Sequence, residues 1–213
     1  MNTGTQPPKE LTLLAPDTTI EAVDDLCTEA LKNNYTAVCV PPLFVKKAKA
    51  LLQYSNIKVA TVIGFPYGFN VVEAKLAEII MAMVDGADEL NVAVNMTALA
   101  NNDWQYLARE LNTILPVIRK QEKQIKIVIE AHLLSADTLI KCCDLYGIAG
   151  VNFLSLTSGF KEPVASMEII ALVRKHLADP VEIMMPANFV NDEEQALYIS
   201  MGLSRLGTCF IVK

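Results

Sequence analysis

Short apolar segments alternate with longer amphipathic segments along the chain. The apolar runs are rich in Val and Ile and carry little charge, which is typical of strands buried on both faces of a parallel sheet. They cover residues 11–14, 36–40, 58–63, 89–94, 126–130, 150–156, 181–185 and 205–210. The segments between them have helical length and periodicity. They cover residues 19–33, 44–53, 71–85, 104–120, 136–146, 164–177 and 192–201.

This order of elements predicts the α/β class. Eight strands that alternate with helices favour a parallel sheet covered by helices. Eight such units in 213 residues fit a closed TIM (β/α)8 barrel better than an open sheet. The first strand is not followed by a GxGxxG motif, which argues against a dinucleotide-binding fold.

We expect a single barrel domain at residues 10–213, preceded by a flexible N-terminus at residues 1–9. The sequence stops three residues after Phe210, so the last outer helix is expected to be missing. One seam of the barrel would then be bare. A partner subunit could cover that seam, so a homo-oligomer is expected.

Composition narrows the possible partners. The formal net charge is −6 and no Lys/Arg-rich run is present, so nucleic acid is not expected. The apolar runs are too short to cross a membrane and the N-terminus has no signal-peptide pattern, so a cytoplasmic location is expected. The 5 cysteines show neither a CxxC pair nor a zinc spacing, and we expect reduced thiols with no metal and no cofactor.

Several segments resemble the deoxyribose-phosphate aldolase family, in order and over nearly the whole chain. They are residues 13–17 (LLAPD), 37–42 (AVCVPP), 59–66 (VATVIGFP), 86–90 (GADEL), 127–130 (IVIE), 152–154 (NFL) and 157–160 (TSGF). The resemblance implies a class I aldolase that joins a small aldehyde to a sugar phosphate. In that family a lysine on strand six forms a Schiff base, a lysine on strand seven lowers its pKa, and an aspartate on strand four moves protons.

The sequence departs from the family at all three positions. The strand-six series reads Asn152, Phe153, Leu154, Ser155, which puts Ser155 at the position of the nucleophilic lysine. Met184 stands at the position of the second lysine and Asn91 at that of the aspartate. A Schiff base needs a primary amine, so these replacements predict a catalytically degenerate barrel, a pseudoenzyme.

The phosphate-binding segments are also altered. The resemblance implies paired glycines after strand seven, and here Ala187 and Asn188 replace them. Gly159, Lys161 and Thr208 are kept as candidate phosphate contacts. Weak anion binding therefore stays open as an expectation.

A candidate pocket is expected at the carboxyl ends of the strands. Its members are Thr12, Cys39, Asn91, Lys126, Glu130, His132, Ser155 and Met184. Alternation places Lys126 inside the barrel, where an unpaired charge is costly. We expect a buried ion pair between Lys126 and either Glu182 or Glu130, with a relocated nucleophile as the alternative role of Lys126.

Two classes of function follow. The first is a degenerate aldolase-like barrel that binds a small aldehyde or sugar phosphate, or that has a structural role. The second is an active lyase or aldolase-type enzyme with relocated catalytic residues, namely Lys126, Glu130 and His132, where Glu130 would orient His132 for acid–base chemistry. Cys39 is a weaker candidate nucleophile, because no histidine is near it in sequence.

Overall fold

The computed structural model describes residues 8–159, 165–186 and 192–210. All eight predicted strands are present in it. They are β1 Lys9–Thr12, β2 Ala37–Val40, β3 Lys58–Ile63, β4 Glu89–Ala93, β5 Gln124–Val128, β6 Phe153–Ser155, β7 Glu182–Pro186 and β8 Leu203–Cys209. Each strand pairs in parallel with the next, and β8 pairs with β1, so the sheet closes into a barrel in strand order 1 to 8. The predicted TIM barrel is therefore confirmed.

The helices occupy the connections between the strands. Those described are α1 Ile20–Lys32, α2 Val45–Leu51, α3 Val72–Val84, α4 Met96–Ala100, α5 Trp104–Lys120, α6 Ala136–Ala149, α7 Met167–His176 and α8 Asp192–Ser200. Several begin at a polar residue whose side chain accepts a backbone N–H, as Thr19 does for α1 and Ser135 for α6. The short helix α4, capped by Asn95, is the one that the sequence pattern did not predict.

Two predictions about the ends of the chain stay predictions. Strand β1 already includes Lys9, and the part of the chain that the structure describes begins at Pro8. At the other end the description stops at Phe210. Neither the flexible N-terminus nor the missing last helix is therefore tested.

The two faces of the strands have different environments. Outward-facing residues such as Val38, Leu90 and Ile127 pack with the helices in one large hydrophobic core. Their neighbours Cys39 and Ala60 face inward and form a small separate cluster. This alternation is what a strand imposes, and it sends every second residue into the barrel interior.

Four charged side chains fill the floor of the barrel. We call Glu10, Glu89, Lys126 and Arg205 the floor cluster; each comes from the first three positions of its strand. Lys126 Nζ lies 2.6 Å from Glu10 Oε2 and 3.7 Å from Glu89 Oε2. Arg205 Nη1 lies 2.6 Å from Glu89 Oε2 and 3.5 Å from Glu10 Oε2. The charges of two carboxylates and two cations therefore cancel in a region that is shielded from water.

The floor cluster corrects the predicted partner of Lys126. The side chain is buried inside the barrel, as predicted, but it pairs with Glu10 and Glu89 rather than with Glu182 or Glu130. Glu182 is exposed at the start of β7, and Glu130 lies beyond the carboxyl end of β5. Alternation gives the face of a residue but not its height in the barrel, and the height selects the partner.

The floor cluster leads to a prediction about stability. Replacing Lys126 by Met removes a positive charge that neutralises the buried Glu10 carboxylate. Lys126→Met is therefore expected to destabilise the fold by about 3–5 kcal/mol. Urea unfolding followed by circular dichroism measures this. Lys47→Met is the matched control, because the Lys47–Asp24 pair is half-exposed and its loss is expected to cost less than about 1 kcal/mol. Equal effects of the two changes would contradict a structural role of the floor cluster.

Candidate functional site

A cavity of about 290 Å³ opens at the carboxyl ends of the strands. We call it the mouth cavity. It lies at the face of a TIM barrel where active sites are found. Its walls mix apolar and polar groups from the carboxyl ends of β1, β7 and β8 and from the segments that follow β1, β3 and β6; they include Thr12, Leu14, Phe65, Ser158, Gly159, Pro186 and Cys209.

The predicted positions of the two family lysines lie side by side in the barrel interior. Ser155 and Met184 are paired in register on β6 and β7 and are 2% and 1% exposed. The Ser155 hydroxyl donates to the backbone carbonyl of Thr157 at 3.0 Å. Neither residue lines the mouth cavity, whereas Pro186, two residues beyond Met184, does. Both side chains therefore lie deeper in the barrel than this cavity.

Asn91 and Cys39 form a second buried pair. Asn91 Nδ2 donates to Cys39 Sγ at 3.4 Å. Asn91 Oδ1 is buried and has no hydrogen-bond partner among the residues that the structure describes. Burial raises the pKa of the Cys39 thiol well above its ordinary value, and the Glu10 carboxylate raises it further. Because the thiolate is the nucleophilic form, Cys39 is poorly suited to attack a carbonyl near neutral pH.

Glu130 and His132 are brought together as predicted, but by a different element. They lie in the turn after β5, where residues Ala131–Leu133 form a short 3₁₀ helix, and not on one face of a strand. His132 Nδ1 is 3.7 Å from Glu130 Oε2. The same carboxylate accepts hydrogen bonds from Thr157 Oγ1 at 3.2 Å and from the Ser158 backbone N–H at 3.1 Å. This buried carboxylate therefore ties the segment after β6 to the end of β5.

Of the two predicted phosphate contacts that are kept from the family and lie among the described residues, one lines the mouth cavity and the other does not. Gly159 lines the mouth cavity, whereas Thr208 pairs with Leu11 in register and does not line that cavity. The neighbouring Cys209 lines it instead. Lys161, Ala187 and Asn188 lie outside the described residues.

Two lysines are fully buried among the described residues, and both are engaged. Lys126 belongs to the floor cluster. Lys75 on α3 donates to the Ala93 carbonyl and to Glu110 Oε1, each at 2.7 Å. Burial lowers the pKa of Lys75, but the side chain lies between α3, α5 and the end of β4, outside the barrel. Neither buried amine therefore lines the mouth cavity.

Sequence reasoning missed some residues that matter at both ends of the barrel. Phe65 follows β3, and the rule that sites gather at strand ends could have found it. Ser158 lies within residues 157–160, one of the segments that resemble the family. The sequence alone could not place Arg205 in the floor cluster, because its partners are 116 and 195 residues away along the chain and meet it only when the barrel closes.

Neither a metal site nor a membrane span can be identified in the described part of the chain. No group of three or more His, Cys, Asp or Glu side chains there is arranged to hold a metal ion. None of the helices in these residues combines the length and apolarity that crossing a membrane requires.

Comparison with known proteins agrees with this architecture. The chain is 37% identical over 205 residues to a deoxyribose-phosphate aldolase of Thermococcus kodakarensis, covering 95% of this chain and 91% of that protein. It is 35% identical over 198 residues to one of Caldicellulosiruptor saccharolyticus, covering 92% and 90%. A crystal structure of a putative deoxyribose-phosphate aldolase from Coccidioides immitis superposes with a TM-score of 0.88 at 27% identity, covering 94% of this chain and 80% of that one.

A tetrameric deoxyribose-phosphate aldolase from Aeropyrum pernix shares the fold, with a TM-score of 0.84 at 24% identity, covering 94% of this chain and 84% of that one. The sequence profile of the DeoC/LacD family aldolases matches residues 9–138, which is more than half of the chain. On these matches and on the closed barrel, the chain belongs to the DeoC/LacD aldolase family.

Proposed function

We propose that this family member has lost the Schiff-base chemistry of a class I aldolase and binds a small aldehyde or sugar phosphate at the barrel mouth. The observation that supports this most strongly is the Ser155–Met184 pair. These two residues stand buried and adjacent where the resemblance predicts two lysines.

The chemical reason lies in the fate of the carbonyl carbon. A lysine amine adds to a carbonyl and loses water to give an iminium, which accepts electrons when a carbon–carbon bond breaks. The Ser155 hydroxyl can form an adduct with a carbonyl, but that adduct is no electron sink. Met184 brings no positive charge to lower the pKa of a nearby amine, and Asn91 cannot act as a carboxylate base.

The mouth cavity keeps features that suit binding. At about 290 Å³ it is near the lower end of the range for small-molecule sites. Thr12 supplies a hydroxyl, and Leu14 and Phe65 supply apolar surface. Deeper in the barrel, the unpartnered Oδ1 of Asn91 can accept a hydrogen bond from a hydroxyl-bearing ligand.

The second candidate function is an active lyase with relocated residues. The proximity of Glu130 and His132 favours it, because a carboxylate beside an imidazole is a familiar acid–base arrangement. Lys126 is poorly suited to act as the nucleophile of such an enzyme, because its amine already forms ion pairs with Glu10 and Glu89. The ordinary cleavage of deoxyribose 5-phosphate would need another lysine to replace the family nucleophile.

Retro-aldol cleavage of deoxyribose 5-phosphate tests the proposal, with aldehyde release as the readout. The wild type is expected to show no turnover above the buffer rate, because no imine forms. The triple variant Ser155→Lys/Met184→Lys/Asn91→Asp is expected to gain measurable turnover. The matched control is Met184→Lys/Asn91→Asp, which makes two of the three changes but keeps Ser155, and it is expected to remain inactive.

Wild-type turnover well above the buffer rate would overturn the degenerate function. In that case Glu130→Gln and His132→Asn, each assayed alone, would decide whether the acid–base pair is responsible. Binding is tested separately by thermal shift with sugar phosphates and small aldehydes, since a ligand at 100 times its Kd stabilises a fold by about 2.7 kcal/mol. A melting temperature that no such compound raises would favour a purely structural role.

A further inference from the structure

A second cavity, of about 490 Å³, opens at the opposite end of the barrel. We call it the floor cavity. Its walls are formed by the segments that lead into β2 and β3 and by the first residue of β5; they include Asn34, Tyr35, Asn56 and Gln124. Glu89 and Arg205 of the floor cluster also line it. This face of a TIM barrel usually serves stability rather than catalysis, so a built cavity here needs its own explanation.

Within residues 8–159, 165–186 and 192–210, two buried polar atoms of the cavity lining find no hydrogen-bond partner. Glu89 uses Oε2 to accept from Arg205, but its Oε1 is unpaired. Arg205 uses Nη1 for both carboxylates of the floor cluster, but its Nε–H is unpaired. Buried polar groups are nearly always satisfied, and an unpaired one costs about 1–3 kcal/mol. An acceptor and a donor thus lie unsatisfied on residues that line one cavity.

The charge balance limits what the floor cavity can bind. Glu89 and Arg205 neutralise each other, and Lys58 is the remaining charged residue of the described lining. Burial opposes the charge of Arg205, but the Glu89 and Glu10 carboxylates raise the pKa of its guanidinium above the ordinary value. Arg205 therefore stays a cation, and because a carboxylate already lies beside it, no anionic ligand is required to neutralise its charge.

Hydroxyl groups match these requirements. A hydroxyl can donate to a carboxylate and accept from an N–H at the same time, which neither an ammonium nor an ionised carboxylate can do. The amides of Asn34, Asn56 and Gln124 offer more donors and acceptors along the walls, and Tyr35 offers a ring face. A cavity of about 490 Å³ is within the range of small-molecule sites.

We propose that the floor cavity is a binding site for a neutral polyhydroxylated molecule, a free sugar or polyol. Such a ligand lies against Glu89 and Arg205 and contacts the amides of Asn56 and Gln124. The site is separate from the mouth cavity, and it does not depend on whether the mouth binds or cleaves a sugar phosphate.

Titration of ¹⁵N-labelled protein with D-ribose and with xylitol tests this site by NMR. The Arg205 Nε–H signal is expected to shift saturably, together with the side-chain amides of Asn56 and Gln124. In the double variant Asn56→Leu/Gln124→Leu the Kd is expected to rise about tenfold, because two hydrogen-bonding side chains are lost. Gln53→Leu is the matched control, since Gln53 is an exposed amide nearby that does not line the cavity.

The Arg205 signal also separates this site from the mouth. Saturating deoxyribose 5-phosphate at the mouth is expected to leave the D-ribose titration unchanged. If neither D-ribose nor xylitol causes a saturable shift of the Arg205 signal, the proposal is overturned and water is left as the occupant of the floor cavity. Shifts confined to residues around Thr12 and Gly159, or binding of equal strength in the double variant, would also overturn it.

Discussion

The neutral network of four charges in the barrel floor is the interaction on which the rest of the structure depends. Burying Glu10, Glu89, Lys126 and Arg205 is tolerable because each charge faces an opposite one within the same closed ring. The network joins β1, β4, β5 and β8, so it also ties distant parts of the chain together. Its consequence for chemistry is direct: the amine of Lys126, which reaches the barrel interior, is held by carboxylates.

The mouth of the barrel has the opposite character. Below the mouth cavity lie two neutral side chains, Ser155 and Met184, which are adjacent in register and buried. The polar groups that reach the mouth cavity are hydroxyl and backbone groups, which are suited to holding a ligand. Among the described residues, the network of four buried charges lies at the end of the barrel that seldom performs catalysis, and the mouth cavity is lined by uncharged residues. This distribution supports binding without imine chemistry as the function of the fold.

Much of the fold could be predicted because local rules determine it. The predicted bounds of β3 and α5 match the structure, since each is a long, strongly patterned segment. Helix α4 has five residues and too few turns for a periodicity to show. Alternation correctly placed Lys126 inside the barrel but could not identify Glu10 as its partner, because pairing across the ring depends on strand stagger. Glu130 and His132 meet through a turn whose geometry the strand pattern does not contain.

Borohydride trapping tests the central claim most directly. The protein is incubated with deoxyribose 5-phosphate, reduced with sodium borohydride, and measured by intact-mass and peptide mass spectrometry. No stable addition to any lysine of the wild type is expected, and the triple variant Ser155→Lys/Met184→Lys/Asn91→Asp is the positive control. A saturable addition that maps to one wild-type lysine, and that disappears when that lysine is replaced by arginine, would contradict the account.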